Sequence, residues 1–328
     1  MDASGTIPLG EECLGVPPLS MTTTPTPAPG ANVYLYGMIV LSTVHRLAGD
    51  YPEADGYGEI AETHVVPGGE TGNSALVLSR WGHNVKVAGP FLGLQTREGV
   101  LGFLETRGID CSALHFDASF DGVRDLVLVG GKTRTVLGTF GGYFRGPRRW
   151  QEPERTDIEA ADVVGLDPFF GAESLEVARL SREAGRPYVT IDCGPDSALH
   201  AGASATIVSS EYIRSRHPEA APEELLRSYT GKGPGLVIFT FGSEDILYCR
   251  GRGTIRHLKP FKVAPKSTLG AGDVFRGGVV HGVVRGMEDE AIVRFAAATA
   301  ACACLRFPMA YDPPSLEEIT SLAATAAG

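Results

Sequence analysis

The run Leu269-Gly270-Ala271-Gly272-Asp273, followed by an apolar stretch with helical spacing, is the segment of this chain best suited to chemistry. Glycines just before a helix leave several backbone N–H groups unpaired and pointing one way, at the positive end of the helix dipole. That combination holds an anion such as a phosphate. A phosphate repels a carboxylate, so an Asp in the same turn has another job. It can accept the proton of an attacking hydroxyl while the amides stabilise charge on a transferred phosphoryl group. A helix start with an ordinary capping Asp is the plainer alternative. Gly277, Gly278 and Gly282 lie inside the same helical run. Each costs a helix about 1 kcal/mol against Ala, so another element is expected to pack very close there.

A second candidate is Pro67-Gly68-Gly69-Glu70-Thr71-Gly72-Asn73. Paired glycines let the backbone approach a ligand, and an Asn at a helix start offers both a donor and an acceptor to hydroxyls. Viewed alone, a Gly turn with an Asn N-cap explains the segment equally well.

Both motifs need elements to position them, and these are legible. From residue 32 onward strands and helices alternate. Strands are expected at 33–41, 85–88, 163–166, 188–191, 206–208 and 236–240. Helices are expected at 73–81, 97–107, 174–183, 222–229, 271–285, 288–305 and 315–326. The alternation predicts an α/β fold with a central, mostly parallel sheet and helices on both faces. Residues 59–66, 125–129 and 133–140 break the pattern and read as antiparallel strands, the last two joined by a Gly-Gly-Lys turn. Inserted around 55–66 and 122–140, they predict a small β-sheet lid over the mouth of the main sheet, with exposed edges that pair two copies as a homodimer.

Residues 1–30 stand apart. They hold six of the 22 prolines and three charged residues, Asp2, Glu11 and Glu12, without the basic and apolar regions of a signal peptide. A disordered tail is expected there, and one domain over 31–328. The chain has 29 basic and 39 acidic residues, a net charge of −10, and no Lys/Arg block. Such a balance argues against nucleic acid and anionic membrane surfaces as partners. The run from Phe295 to Leu305 is 11 residues long, whereas a bilayer span needs about 20. Cys13, Cys111, Cys193, Cys249, Cys302 and Cys304 contain no C-x-x-C pair and read as reduced thiols of a cytoplasmic protein.

Together the two glycine motifs resemble those of the ribokinase-like (PfkB) carbohydrate kinases. GGETGNSA is followed by AGPFLG, by the strand–turn segment VIFTFGSED, and by STLGAGDVFRGG about 200 residues after the glycine pair. The resemblance runs from about Val33 to Ile319 and implies transfer of the ATP γ-phosphate to a hydroxyl of a sugar-like small molecule. It implies Asp273 as catalytic base and Gly270, Ala271 and Gly272 as an anion hole. Gly69, Asn73 and Asp167 would face the acceptor, and Ser209, Thr240 and Gly242 the nucleotide. A nucleoside kinase of the same fold, or a metabolite-binding protein without turnover, are the alternatives.

Departures from the family pattern are informative. In GMIVLS the family usually ends on an Asp that clamps two sugar hydroxyls, and here Ser42 stands in that substrate-binding place. Ser267-Thr268 replaces an Asp-Thr, which bears on a monovalent-cation site. Ser209-Ser210-Glu211-Tyr212 replaces the Asn-x-x-Glu linked to magnesium, so no metal ligand is assigned, and Mg2+ is expected to arrive with ATP. A Rossmann dehydrogenase is the weaker reading because MIVLSTVH, not G-x-G-x-x-G, follows the first strand. No Walker A loop and no H-E-x-x-H spacing occur.

Overall fold

The computed structural model describes residues 30–131 and 133–325. The expected tail, apart from Gly30, therefore lies outside the described residues. The N-terminal half contains β1 (Asn32–Tyr36), β2 (Val40–Leu47), β3 (Ile60–Gly68), α1 (Gly69–Arg80), β4 (Asn84–Ala88), α2 (Arg97–Glu105), β5 (Arg124–Gly130) and β6 (Thr133–Gly138). Then come α3 (Phe140–Arg145), α4 (Arg155–Ala160), β7 (Val163–Leu166), α5 (Ala172–Glu183), β8 (Tyr188–Ile191), α6 (Ala198–Ala201) and β9 (Ala205–Ser209). The chain continues through α7 (Ser210–Arg216), α8 (Pro222–Thr230), β10 (Leu236–Thr240), β11 (Ile246–Arg250) and β12 (Arg256–Leu258). It closes with α9 (Ala271–Val284), α10 (Asp289–Cys304) and α11 (Leu316–Ala323).

Eight strands form the main sheet in the order β12-β11-β10-β9-β8-β7-β1-β4, parallel from β10 to β4 with β11 and β12 antiparallel at one edge. Its central strands are mostly apolar and almost wholly buried, as a sheet covered on both faces requires. Alternate residues of β1 serve opposite faces. Val33 and Leu35 join the core beneath α1, α9 and α10, and Tyr34 and Tyr36 the core beneath α5.

The lid is a separate four-stranded sheet in the order β3-β2-β5-β6. One strand was expected at 33–41, but the chain makes two there, in two sheets. It turns at Gly37, where a Cβ would lie 1.9 Å from Asp167 Oδ2, and crosses from β1 to β2. The apolar run VYLYGMIVL conceals this crossing, because both strands are buried and no polar residue marks the bend. α1 likewise begins at Gly69, not Asn73, and β6 ends at Gly138 because Phe140 starts α3.

Close packing at the α9 glycines is what the structure has. A Cβ at Gly277 would sit 2.6 Å from Val77 Cγ2, at Gly278 2.7 Å from the Ala296 Cα, and at Gly282 2.8 Å from Ile292 Cγ1. α9 is therefore wedged between α1 and α10. Gly278→Ala gains helix propensity worth about 1 kcal/mol, but the new methyl meets backbone that cannot swing away. The expected result is a lower Tm by calorimetry, since overpacking costs about 1–3 kcal/mol. A Tm above wild type contradicts that reading.

At the far end of α9, His83 Nε2 and His281 Nδ1 lie 2.9 Å apart, with Trp81 and Phe295 around them. Ala31 N–H donates to His83 Nδ1 at 3.2 Å, so the neutral His83 carries its proton on Nε2 and donates to His281. Burial pushes His83 down to about 4 and His281 down to about 3. An unfolded His titrates near ~6.5. As pH falls below that value the unfolded chain takes up protons that the folded one refuses, so this contribution is complete at neutral pH and lost toward about pH 4. Tm should fall between pH 7.5 and pH 5, less steeply in His281→Gln. A flat wild-type profile would sink the idea.

Candidate active site

The two glycine motifs meet. Asn73, in the second turn of α1, donates from Nδ2 to Asp273 Oδ2 at 2.7 Å, and Ser74 Oγ donates to the Asp273 carbonyl at 2.8 Å. Gly270 precedes α9 in a left-handed conformation with φ +75°, and a Cβ there would lie 3.1 Å from the Asn73 amide. Only glycine suits both demands. The first N–H groups of α9 have no intrahelical acceptor; Ala271 N donates back to the Thr268 carbonyl at 3.3 Å, and Gly272 is exposed, with nothing within 4 Å of a Cβ placed on it. The loop is pinned from behind: Lys266 N and Ser267 N donate to the Cys304 carbonyl at 2.8 and 3.3 Å, and Leu269 N donates to Ser267 Oγ at 3.1 Å. Burial raises the Asp273 carboxyl above its usual range, with the Asn73 amide, Arg276 and Arg134 pulling it back.

The resemblance implies that Asp167 faces the acceptor; in the structure its side chain is fully buried and both oxygens are engaged. Oδ2 accepts from Met38 N at 2.7 Å and from Thr71 Oγ1 at 3.3 Å, while Oδ1 is paired with Arg276 Nη1. One carboxylate thus ties the end of β1, the first turn of α1 and α9 together. Arg276 lies three residues after Asp273 on α9, so this hub orients the helix that carries Asp273.

Along the C-terminal edge of the main sheet, Thr240 ends β10 half-buried, and Gly242 (φ +69°) sits in the open turn before β11. Ser209 ends β9 and caps α7, accepting from Tyr212 N at 3.1 Å, and donates from Oγ to Asp192 Oδ2 at 2.9 Å. Asp192, after β8, adopts a left-handed φ of +39° rare for a non-glycine residue. Burial raises its carboxyl, with Glu211 and Asp273 adding to the effect. Among the described residues no group of three or more His, Cys, Asp or Glu side chains is placed to hold a metal ion.

Gly69 (φ +82°) starts α1, where a Cβ would strike the Met38 carbonyl at 2.6 Å. Glu70 follows it, and burial, then the fields of Asp167 and Asp273, push its carboxyl well above the usual range. Ser42 is 5% exposed on β2, beside Gly68. From the lid, Arg134 of β6 donates to Thr268 Oγ1 at 3.3 Å. Glu70, Arg134, Asp192 and Arg276 were not singled out in the sequence. Arg276 had a signal, as an arginine inside an otherwise apolar helical run. Arg134 had none, because the register of β6 decides which way it points. A cavity of about 500 Å³ at the base of the lid, lined by residues such as Phe120, Arg124 and Tyr143, holds none of these groups.

Residues 38–315 match the family model described as pfkB family carbohydrate kinase. The chain belongs to that family. It is 23% identical to the ribokinase of Bacillus subtilis over 268 residues, covering 79% of this chain and 88% of that protein. It is 26% identical to a nucleoside kinase of Methanothermobacter thermautotrophicus over 266 residues, covering 76% and 82%. The structure of Arabidopsis thaliana ribokinase complexed with ribose and ATP superposes with a TM-score of 0.75 at 15% identity, covering 90% of this chain and all of that one. The ribokinase-like fold, the parallel sheet and the separate small sheet agree with expectation. The five described cysteines are unpaired, and no helix among the described residues is long and apolar enough to cross a membrane.

Proposed function

We propose that this chain transfers the γ-phosphate of ATP to a hydroxyl of a sugar or sugar-like acceptor, with Asp273 as general base. One observation carries the reading: the Asp273 carboxylate, held by Asn73, stands in the first turn of α9 next to the exposed Gly272. Asp273 takes the proton of the acceptor hydroxyl, the oxygen attacks the γ-phosphorus, and the bond to the β-phosphate oxygen breaks to release ADP. The amides of Gly270, Ala271 and Gly272 receive the charge on the moving phosphoryl group, and Arg134 adds a cation from the lid. Its raised carboxyl makes Asp273 a stronger base than an ordinary Asp.

Gly69 and Asn73, with Ser42 above them, would meet the acceptor. Thr240 and Gly242 would line the nucleotide side, with Ser209 positioning Asp192. Mg2+ needs only one or two carboxylates besides phosphates and water. Asp192, with Glu211 nearby, would hold it, and Mg2+ would lie on the nucleotide side. When bound, Mg2+ supplies charge neutralisation of the phosphates. The outer face of the lid carries the row Val65–Thr43–Leu126–Leu137, in which Val65 is 50% and Leu137 54% exposed. That apolar row supports a homodimer formed through the lid. Similarity to a nucleoside kinase keeps a nucleoside as the second acceptor class.

ADP formation with ATP, Mg2+ and a panel of sugars, polyols and nucleosides tests the reading. At least one acceptor should stimulate ADP release. ATP binding with no stimulation by any acceptor favours a sensor without turnover.

A further inference from the structure

The inner face of the lid holds a carboxylate that the sequence pattern did not mark. Cross-strand pairing gives the row Val66–Ser42–Asp125–Gly138. Directly opposed residues share a face, and Arg134, two rows along, reaches Thr268 in the loop before α9. The face that carries Asp125 therefore looks toward the anion hole. A chain of contacts leads the same way. Asp125 feels the Ser42 side chain, Ser42 Oγ would lie 2.6 Å from a Cβ on Gly68, and α1 follows with Gly69 and with Asn73 on Asp273.

Asp125 Oδ1 is buried and has no hydrogen-bond partner. A buried acceptor left unmade destabilises a fold, so this oxygen is poised for a donor that a ligand supplies. On the far side of the row stands Gly138, whose missing side chain leaves room for the Phe140 ring. Among the described residues no cation is paired with Asp125: Arg276 is held by Asp167, and Arg134 reaches Thr268.

We propose that Asp125 is the carboxylate that holds the acceptor's hydroxyls, one strand away from Ser42, and that the acceptor is an uncharged polyol rather than a phosphorylated or acidic sugar. This rests on the phosphotransfer reading above. Adjacent strands lie about 4.8 Å apart, so an acceptor gripped by Asp125 extends further from Gly69 than one gripped at position 42. Pentoses fall short. A negatively charged acceptor would set its charge against the Asp125 carboxylate and meets repulsion.

The test uses full-length protein with ATP, Mg2+ and D-ribose, D-fructose, myo-inositol, D-glucosamine, adenosine and fructose 1-phosphate. The best uncharged acceptor should exceed fructose 1-phosphate in kcat/KM by at least about tenfold, the scale of one charge-assisted hydrogen bond. Asp125→Asn, isosteric and so least disruptive, should raise the KM of that acceptor by a similar factor and leave the KM of ATP unchanged. The exchange Ser42→Asp/Asp125→Ser returns the carboxylate to β2 and should raise kcat/KM for D-ribose relative to the wild-type acceptor. Unchanged acceptor KM in Asp125→Asn, or preference for fructose 1-phosphate, overturns the inference while phosphotransfer stands. If no acceptor is turned over, the phosphotransfer reading falls and this inference falls with it.

Discussion

Asp273→Asn is expected to lower kcat by at least about 100-fold, the usual scale for removing a general base, while ATP still binds. The Asn side chain keeps the shape and can still meet the Asn73 amide, so the loop and the anion hole stay in place. What it loses is the lone pair that accepts a proton in the transition state. Burial raises the Asp273 carboxyl, and a base must be deprotonated to act. The acid limb of wild-type kcat/KM should therefore lie above the ordinary carboxylate range of about 3.9, with activity lost as pH falls through the raised value. Near-wild-type turnover by the variant would remove Asp273 from the mechanism.

Arg276→Met is expected to cost about 3–5 kcal/mol of stability, the scale for stranding one partner of a buried ion pair. Arg276 is 1% exposed and Asp167 0% exposed, so water cannot replace the lost guanidinium. Met fills much of the same volume, so the loss reflects the uncompensated charge more than a cavity. Arg276→Met/Asp167→Asn should recover part of it, because Asn keeps an acceptor for Met38 N without the buried charge. Urea unfolding monitored by circular dichroism measures both. A loss under about 1 kcal/mol in the single variant is the surface-pair scale and would mean that the pair holds nothing together.

The anion hole and the base were legible because both lie in one short segment, where local rules of glycine and helix start apply. The close packing of α9 was legible for the same reason: glycine inside a helix has few other uses. Position 167 was found, but not the partner that holds it. Its strand end was right, but nothing local reveals that Arg276, 109 residues on, reaches back to it. Asp125 and Arg134 stayed hidden because their direction depends on lid register, and β2, the strand that sets that register, was read as an extension of β1. A one-residue slip turns every side chain to the other face. Local chemistry was visible, then, and long-range pairing was not.

The most direct measurement is 31P NMR of wild type and Asp273→Asn incubated with ATP, Mg2+ and the uncharged acceptor panel. Wild type should produce ADP together with a new phosphomonoester resonance in equal amounts, and the variant should produce neither at a comparable rate. ADP matched by inorganic phosphate instead of a phosphomonoester, or equal product from both proteins, would contradict hydroxyl-directed transfer by Asp273.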